Sequence, residues 1–142
     1  MHTSMRDDEK YIIDLCDNIL QDKAIRQHRF DFLVGDSGKK LPVDAYYRKL
    51  GLAIEFQERQ HNEEVKIFDR KLTVSGVSRG EQRKIYDKRR RDILPKNGIS
   101  LLEFTVYEFP HNNRKRLLRK SEEDRKIILG KLKNFIKPYH QL

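Results

Sequence analysis

One stretch of this 142-residue chain, residues 41–61, constrains the fold more than any other. Residues Leu41–Arg48 and Leu52–Glu58 each alternate apolar and polar side chains with period two, which is typical of β-strands. A tight turn centred on Lys49–Leu50 joins the two runs into a hairpin. In that register Asp44 lies directly opposite Glu55, and Gln57 follows further along the same face.

The opposed carboxylates of this hairpin are unusual. Side chains that face each other across two antiparallel strands have Cβ atoms roughly 4.5–5.5 Å apart, and like charges there destabilise the sheet. A divalent cation such as Mg²⁺ between Asp44 and Glu55 removes the repulsion, because hard ions bind carboxylate oxygens. The hairpin alone leaves two alternatives open: a register shifted by one residue, or a face that is simply solvated.

The overall composition limits the class of protein. The formal net charge is +9, which favours a polyanionic partner such as nucleic acid or an anionic membrane surface. No apolar run approaches the roughly 18 residues of a spanning helix, so we expect no membrane insertion. The first residues lack the apolar core of a signal peptide, and the single cysteine cannot form an internal disulfide, so we expect a reduced, cytoplasmic protein.

The length and pattern predict a single domain, residues 1–142, of α/β (α+β) class. Helical spacing of apolar residues predicts helices over residues 8–22, 81–94 and 121–137. Further strands are predicted over residues 29–35 and 99–109, and residues 62–80 form a long loop. The resulting order α-β-β-β-α-β-α gives a mixed sheet of about four strands flanked by helices, with the last strand parallel to the second strand of the hairpin.

Basic side chains cluster beside the hairpin, on the second helix and in residues 111–120. They are suited to bind DNA phosphates, and such binding weakens steeply with salt because counterions are released. The candidates are Lys39, Lys40, Arg59, Arg83, Lys84, Arg89, Arg90, Arg114 and Arg116. On the first helix, Asp14 and Asp17 lie off the apolar stripe, where a solvated face is the simpler interpretation than a metal site.

Three segments carry a resemblance to a known family. VDAYY supplies Asp44, LAIEFQERQH supplies Glu55 and His61, and IYDKRRRDILPKNGISLLEF supplies a Tyr-Asp-x-x-Arg helix motif followed by a glycine and an apolar strand. In that order, over residues 29–109, they resemble the PD-(D/E)XK nuclease superfamily, and within it the very-short-patch-repair endonuclease branch. The resemblance implies a restriction-endonuclease-like fold.

The sequence departs from the superfamily pattern at two positions. Pro42 stands one residue too early to be the proline that precedes the aspartate in the motif. Gln57 occupies the third motif position, where lysine is common and aspartate is found in the most similar branch. Some restriction endonucleases of the superfamily also carry glutamine there.

The resemblance implies a magnesium-dependent endonuclease, with Mn²⁺ as a possible substitute. Asp44 and Glu55 are then the metal ligands, Gln57 positions the attacking water or binds the phosphate, and His61 acts as a general acid or base. Alternatives remain open: His61 as an ordinary loop histidine, a nuclease fold that binds DNA without cleaving it, or a basic protein–protein adaptor. Symmetric cleavage of both strands requires a homodimer, for which the sequence shows no clear face.

Overall fold

A computed structural model describes residues 5–58 and 76–136. Its α-helices are α1 (Met5–Leu20), α2 (Arg79–Lys96) and α3 (Ser121–Leu132). Its strands are β1 (Ile25–Val34), β2 (Lys40–Tyr47), β3 (Leu52–Gln57) and β4 (Ser100–Thr105). Short 3-10 turns cover Arg48–Leu50, Val106–Glu108 and Lys133–Phe135. The predicted order α-β-β-β-α-β-α is confirmed.

The four strands form one mixed sheet in the order β1-β2-β3-β4. Strands β1, β2 and β3 are antiparallel neighbours, and β4 runs parallel to β3, as predicted. Ala45 pairs with Ile54 and Tyr46 with Ala53, which is the register that a turn at Lys49–Leu50 requires. Gly51 closes that turn with φ +58°, a left-handed conformation that glycine adopts without strain.

Helices cover both faces of this sheet. On one face α1 and α3 pack over a core that includes Ile54, Phe56 and Phe104. On the other face Leu94 of α2 packs against Ala53 and its neighbours. Because β3 alternates between the two cores, its residues are buried on both sides, which fixes the backbone that carries Glu55.

Several element ends differ from the predictions. Strand β1 begins at Ile25 instead of residue 29, because its first residues pair with β2 although they lack a clear alternating pattern. Helix α2 continues through Pro95 and ends at Lys96, since a proline in the last turn removes only one helical hydrogen bond. Strand β4 is shorter than predicted because the Glu108 carboxylate accepts a hydrogen bond from the Thr105 amide and starts a 3-10 turn.

The ends of α1 and α3 also differ from the predictions. Helix α1 covers residues 5–20 instead of 8–22, and α3 ends at Leu132, where a 3-10 turn replaces the last predicted helical turn.

Within residues 5–58 and 76–136, no helix has both the length and the apolar character that a membrane span needs.

Candidate active site

Asp44 and Glu55 face each other across the two hairpin strands, β2 and β3. The Asp44 backbone N–H donates to Glu55 Oε2 at 2.5 Å, and the Phe56 backbone N–H donates to Asp44 Oδ2 at 2.7 Å. Each carboxylate therefore binds the backbone of the opposite strand, just beyond the register pair Ala45–Ile54. The two side chains are held together by the backbone itself, as the opposed pair predicted from the sequence requires.

Glu55 is poorly solvated, with only 6% of its surface exposed. Burial raises the pKa of Glu55 well above its usual range, and the neighbouring Asp44 carboxylate raises it further. Arg90 opposes this rise in the pKa of Glu55, and the Asp44 amide opposes it as well. The Glu55 carboxylate is therefore poorly solvated and lies beside a second carboxylate, and the positive groups around it offset only part of the cost of ionising it.

Arg90 reaches Glu55 from α2. Its Nε lies 3.4 Å from Glu55 Oε1 and donates to the Pro42 carbonyl at 3.0 Å, while Nη1 lies 3.1 Å from Asp87 Oδ1. The side chain is only 12% exposed. The Tyr-Asp-x-x-Arg motif of α2 therefore places Arg90 against the candidate metal ligand, whereas the sequence suggested it as a contact to DNA phosphate.

A cavity of about 310 Å³ opens in front of the two carboxylates. Its walls are formed by Glu9, Asp44, Glu55, Phe56, Gln57, Glu58 and Arg83. Strand alternation predicts that Glu58 points away from Asp44 and Glu55. That prediction is wrong, because β3 ends at Gln57 and the alternation stops there. Glu9 was missed: it lies at the start of α1, and a first-turn acid is more often explained by the helix dipole.

The side chain of Gln57 is bound by Glu103, a residue of the neighbouring strand β4. Its Nε2 donates to Glu103 Oε1 at 3.2 Å. Glu103 in turn receives two hydrogen bonds from Arg91, at 2.8 and 3.0 Å. No sequence signal linked Glu103 to Gln57, because the contact depends on the parallel pairing of β3 with β4.

The remaining basic candidates fall into three groups. Lys39, Lys84 and Arg114 are exposed. Three others are engaged by protein groups: Lys40 with Asp31, Arg89 with Asp36 and the Val34 carbonyl, and Arg116 with Asp8. Arg83 lines the carboxylate cavity. Lys39 and Lys40, together with Arg29 and Arg79, also line a second cavity of about 490 Å³ near the start of α2.

Some predicted features lie elsewhere. Arg59, His61 and most of the loop predicted over residues 62–80 lie outside the described residues. Asp14 and Asp17 do not line the carboxylate cavity; both accept from Arg26, and Asp17 also accepts from the Tyr47 hydroxyl at 2.6 Å. Cys16 is a buried free cysteine, and burial raises the pKa of its thiol to about 12.

The donor atoms of the pair suit a hard cation. In the part of the chain that the structure describes, no group of three or more His, Cys, Asp or Glu side chains is arranged to hold a metal. Asp44 Oδ1 lies 3.3 Å from Gln27 Nε2, and Glu55 Oε1 lies 3.4 Å from Arg90 Nε. Two carboxylate oxygens beside a cavity fit Mg²⁺, which is usually bound by one or two carboxylates and keeps several waters.

Comparisons with known proteins give one structural similarity. No protein-family model matches the sequence, and no curated protein matches it. Among solved structures, the chain is similar to the 5-hydroxymethylcytosine-specific restriction enzyme AbaSI, with a TM-score of 0.45 and 18% identity. The match covers 94% of this chain and 43% of the enzyme's chain, so this chain spans less than half of that enzyme.

Proposed function

We propose that this protein is a metal-dependent DNA endonuclease of the PD-(D/E)XK superfamily, in its very-short-patch-repair-like branch. The observation that supports this most strongly is the pair of opposed carboxylates, Asp44 and the buried Glu55, each bound to the backbone of the other's strand. Adjacent carboxylates repel each other, more so where one is buried, and such arrangements are concentrated at functional sites. A pair of this kind is suited to bind the cation that phosphodiester hydrolysis uses.

In this proposal Asp44 and Glu55 hold Mg²⁺, or Mn²⁺ in its place. When bound, the ion neutralises phosphate charge and lowers the pKa of a bound water. Arg90 orients the Glu55 carboxylate and opposes the rise in its pKa, since Nε lies 3.4 Å from Oε1. Arg83 places positive charge on the wall of the same cavity, where the scissile phosphate would lie.

Two further residues complete the proposed chemistry. Gln57 lines the cavity and orients the attacking water. His61 follows β3 by four residues in the sequence and is retained as a candidate general acid or base, because its unperturbed pKa lies near neutrality.

DNA binding rests on the basic surface. Lys39 and Lys84 are exposed, and Arg114 is exposed in the turn that follows β4. These side chains contact backbone phosphates, which fixes the position of the duplex and not its sequence. A homodimer that cuts both strands, and a cytoplasmic location, remain part of the proposal.

A second candidate function has one observation in its favour. Gln57 is neutral and is already bonded to Glu103, so the site lacks the lysine that is common at this position. A nuclease fold that binds DNA without cleaving it would tolerate this substitution. The retained Asp44–Glu55 pair distinguishes the two functions, because a pure binder gains nothing from opposed carboxylates beside phosphates.

Plasmid cleavage tests the proposal. Purified protein is incubated with supercoiled DNA in Mg²⁺, in Mn²⁺ and in EDTA, beside Glu55→Ala and the exposed control Glu122→Ala. We expect nicking or linearisation that requires metal, persists in Glu122→Ala and falls by more than about a hundredfold in Glu55→Ala, as loss of a group that holds the catalytic ion implies. Salt-sensitive DNA binding without cleavage in any metal would favour the binding module, and equal cleavage by Glu55→Ala would place the activity elsewhere.

A further inference from the structure

The contact between Gln57 and Glu103 determines which atom Gln57 offers to the cavity. An ionised glutamate has only acceptor oxygens, so its partner on Gln57 is the amide nitrogen, as the 3.2 Å contact from Nε2 to Oε1 has it. The assignment of oxygen and nitrogen in the Gln57 amide is therefore fixed by chemistry. The amide oxygen remains as the acceptor on the other side of the group.

Arg91 holds the Glu103 carboxylate in the position from which it binds the Gln57 amide. Its Nε and Nη2 donate to the two carboxylate oxygens of Glu103 at 2.8 and 3.0 Å, a two-point geometry that holds the carboxylate plane in place. The Glu103 side chain is 25% exposed, so it is partly shielded from water. Strand pairing adds to this, since Glu103 lies beside Glu55 in the parallel register of β3 and β4.

We propose that Glu103 is a positioning residue that fixes the Gln57 amide so that its oxygen, not its nitrogen, faces the carboxylate cavity. There the oxygen accepts a hydrogen bond from a water in the shell of the bound cation. This inference rests on the proposed nuclease function and refines it: Gln57 orients the water and does not act as a donor to phosphate.

An exchange of the two side chains tests the inference at constant net charge. Glu103→Gln removes the obligate acceptor and lets the Gln57 amide turn. Its Mn²⁺ affinity, measured by calorimetry, and its kcat should fall about tenfold, as for other groups that orient metal ligands, with KM for DNA unchanged. In the double variant Gln57→Glu/Glu103→Gln, the amide of the new glutamine donates to the new glutamate, whose second oxygen faces the cavity. We expect it to recover most of the lost affinity and rate.

A metal-free readout separates this inference from the proposed function. The side-chain amide signals of Gln57 in a ¹H–¹⁵N spectrum should shift in Glu103→Gln and stay unchanged in the control Glu122→Gln. Unshifted signals, an unchanged Mn²⁺ affinity in Glu103→Gln, or a double variant as weak as the single one would overturn the inference. Wild-type protein that neither binds Mn²⁺ nor cleaves DNA would instead overturn the proposed function, whatever the amide signals show.

Discussion

Asp8 and Glu55 are both buried carboxylates, but they differ in how their charges are balanced by arginine. Asp8 of α1, with its side chain 4% exposed, is bound by Arg116 and Arg119 and also accepts from the Leu117 amide at 3.1 Å. Glu55, with its side chain 8% exposed, has Arg90 at 3.4 Å, but Arg90 also binds Asp87 at 3.1 Å, and Asp44 lies beside Glu55. Asp8 is therefore bound by two arginines, whereas Glu55 shares Arg90 with a second carboxylate and adjoins a third, with Arg83 on the wall of the same cavity.

The difference separates a structural site from a candidate functional one. Asp8 ties the segment after β4 to α1, and its charge is fully balanced within the protein. Glu55 instead shares Arg90 with Asp87 and adjoins Asp44, and its burial makes this weaker compensation costly. A fold retains such a cost at sites where a ligand completes the charge. Three predictions follow from this contrast, in order of decreasing effect.

Removal of the Asp8 charge should cost the most stability. Asp8→Asn leaves two arginines without their carboxylate, and breaking a buried ion pair in this way costs about 3 kcal/mol of unfolding free energy or more. Glu55→Gln, by contrast, should leave the stability of the metal-free protein equal or higher. Urea unfolding monitored by circular dichroism measures both. A larger loss in Glu55→Gln than in Asp8→Asn would contradict the comparison.

The pH dependence of stability should reveal the imbalance at Glu55. Its pKa in the folded protein lies above the usual 4.5, so its contribution to stability is greatest below pH 4.5 and is lost as the pH rises through the folded pKa. The unfolding free energy of Glu55→Gln relative to wild type should therefore increase with pH above 4.5, by at most about 1.4 kcal/mol per pH unit. The control Glu122→Gln should run parallel to wild type. A constant difference for Glu55→Gln across pH 4.5–8 would mean that Glu55 is not destabilised by burial.

Substitutions of two nearby arginines, Arg116 and Arg114, should affect different properties: the first the stability of the fold, the second the binding of DNA. Arg116→Ala removes a partner of Asp8 and should lower the unfolding free energy by about 2 kcal/mol, as for hydrogen bonds to charged groups. Arg114→Ala, at an exposed position, should leave stability unchanged and reduce the slope of log K against log salt by about 0.9 if it contacts one phosphate. Fluorescence anisotropy with a labelled duplex measures the slope. An unchanged slope in Arg114→Ala would remove this turn from the DNA interface.

The sequence was sufficient to predict the sheet and the central pair, for a clear physical reason. Period-two alternation and a short turn fix a hairpin register locally, so the opposition of Asp44 and Glu55 could be predicted without any long-range information. The direction of β4 followed from the helical crossover between β3 and β4, which parallel strands require. Local patterns therefore carried the part of the site that lies on one hairpin.

The parts of the site that escaped prediction depend on contacts between distant segments. Glu9 reaches the cavity because α1 packs across the sheet, and Glu103 reaches Gln57 through parallel pairing. The inward orientation of Arg90 and Arg116 depends on which carboxylates those helices and turns meet after folding. A basic residue in a sequence has the same appearance whether it binds phosphate or a buried carboxylate.

The proposed function depends above all on a divalent cation held by Asp44 and Glu55. Calorimetric titration of metal-stripped protein with Mn²⁺ tests it most directly, with Asp44→Asn and Glu55→Gln as variants and Asp8→Asn, at a temperature where it is folded, as the matched buried carboxylate. We expect binding to wild type and Asp8→Asn, and a loss of more than about tenfold in both pair variants, because each removes a charged ligand. Equal Mn²⁺ affinity in all four proteins, or no binding by wild type, would contradict it.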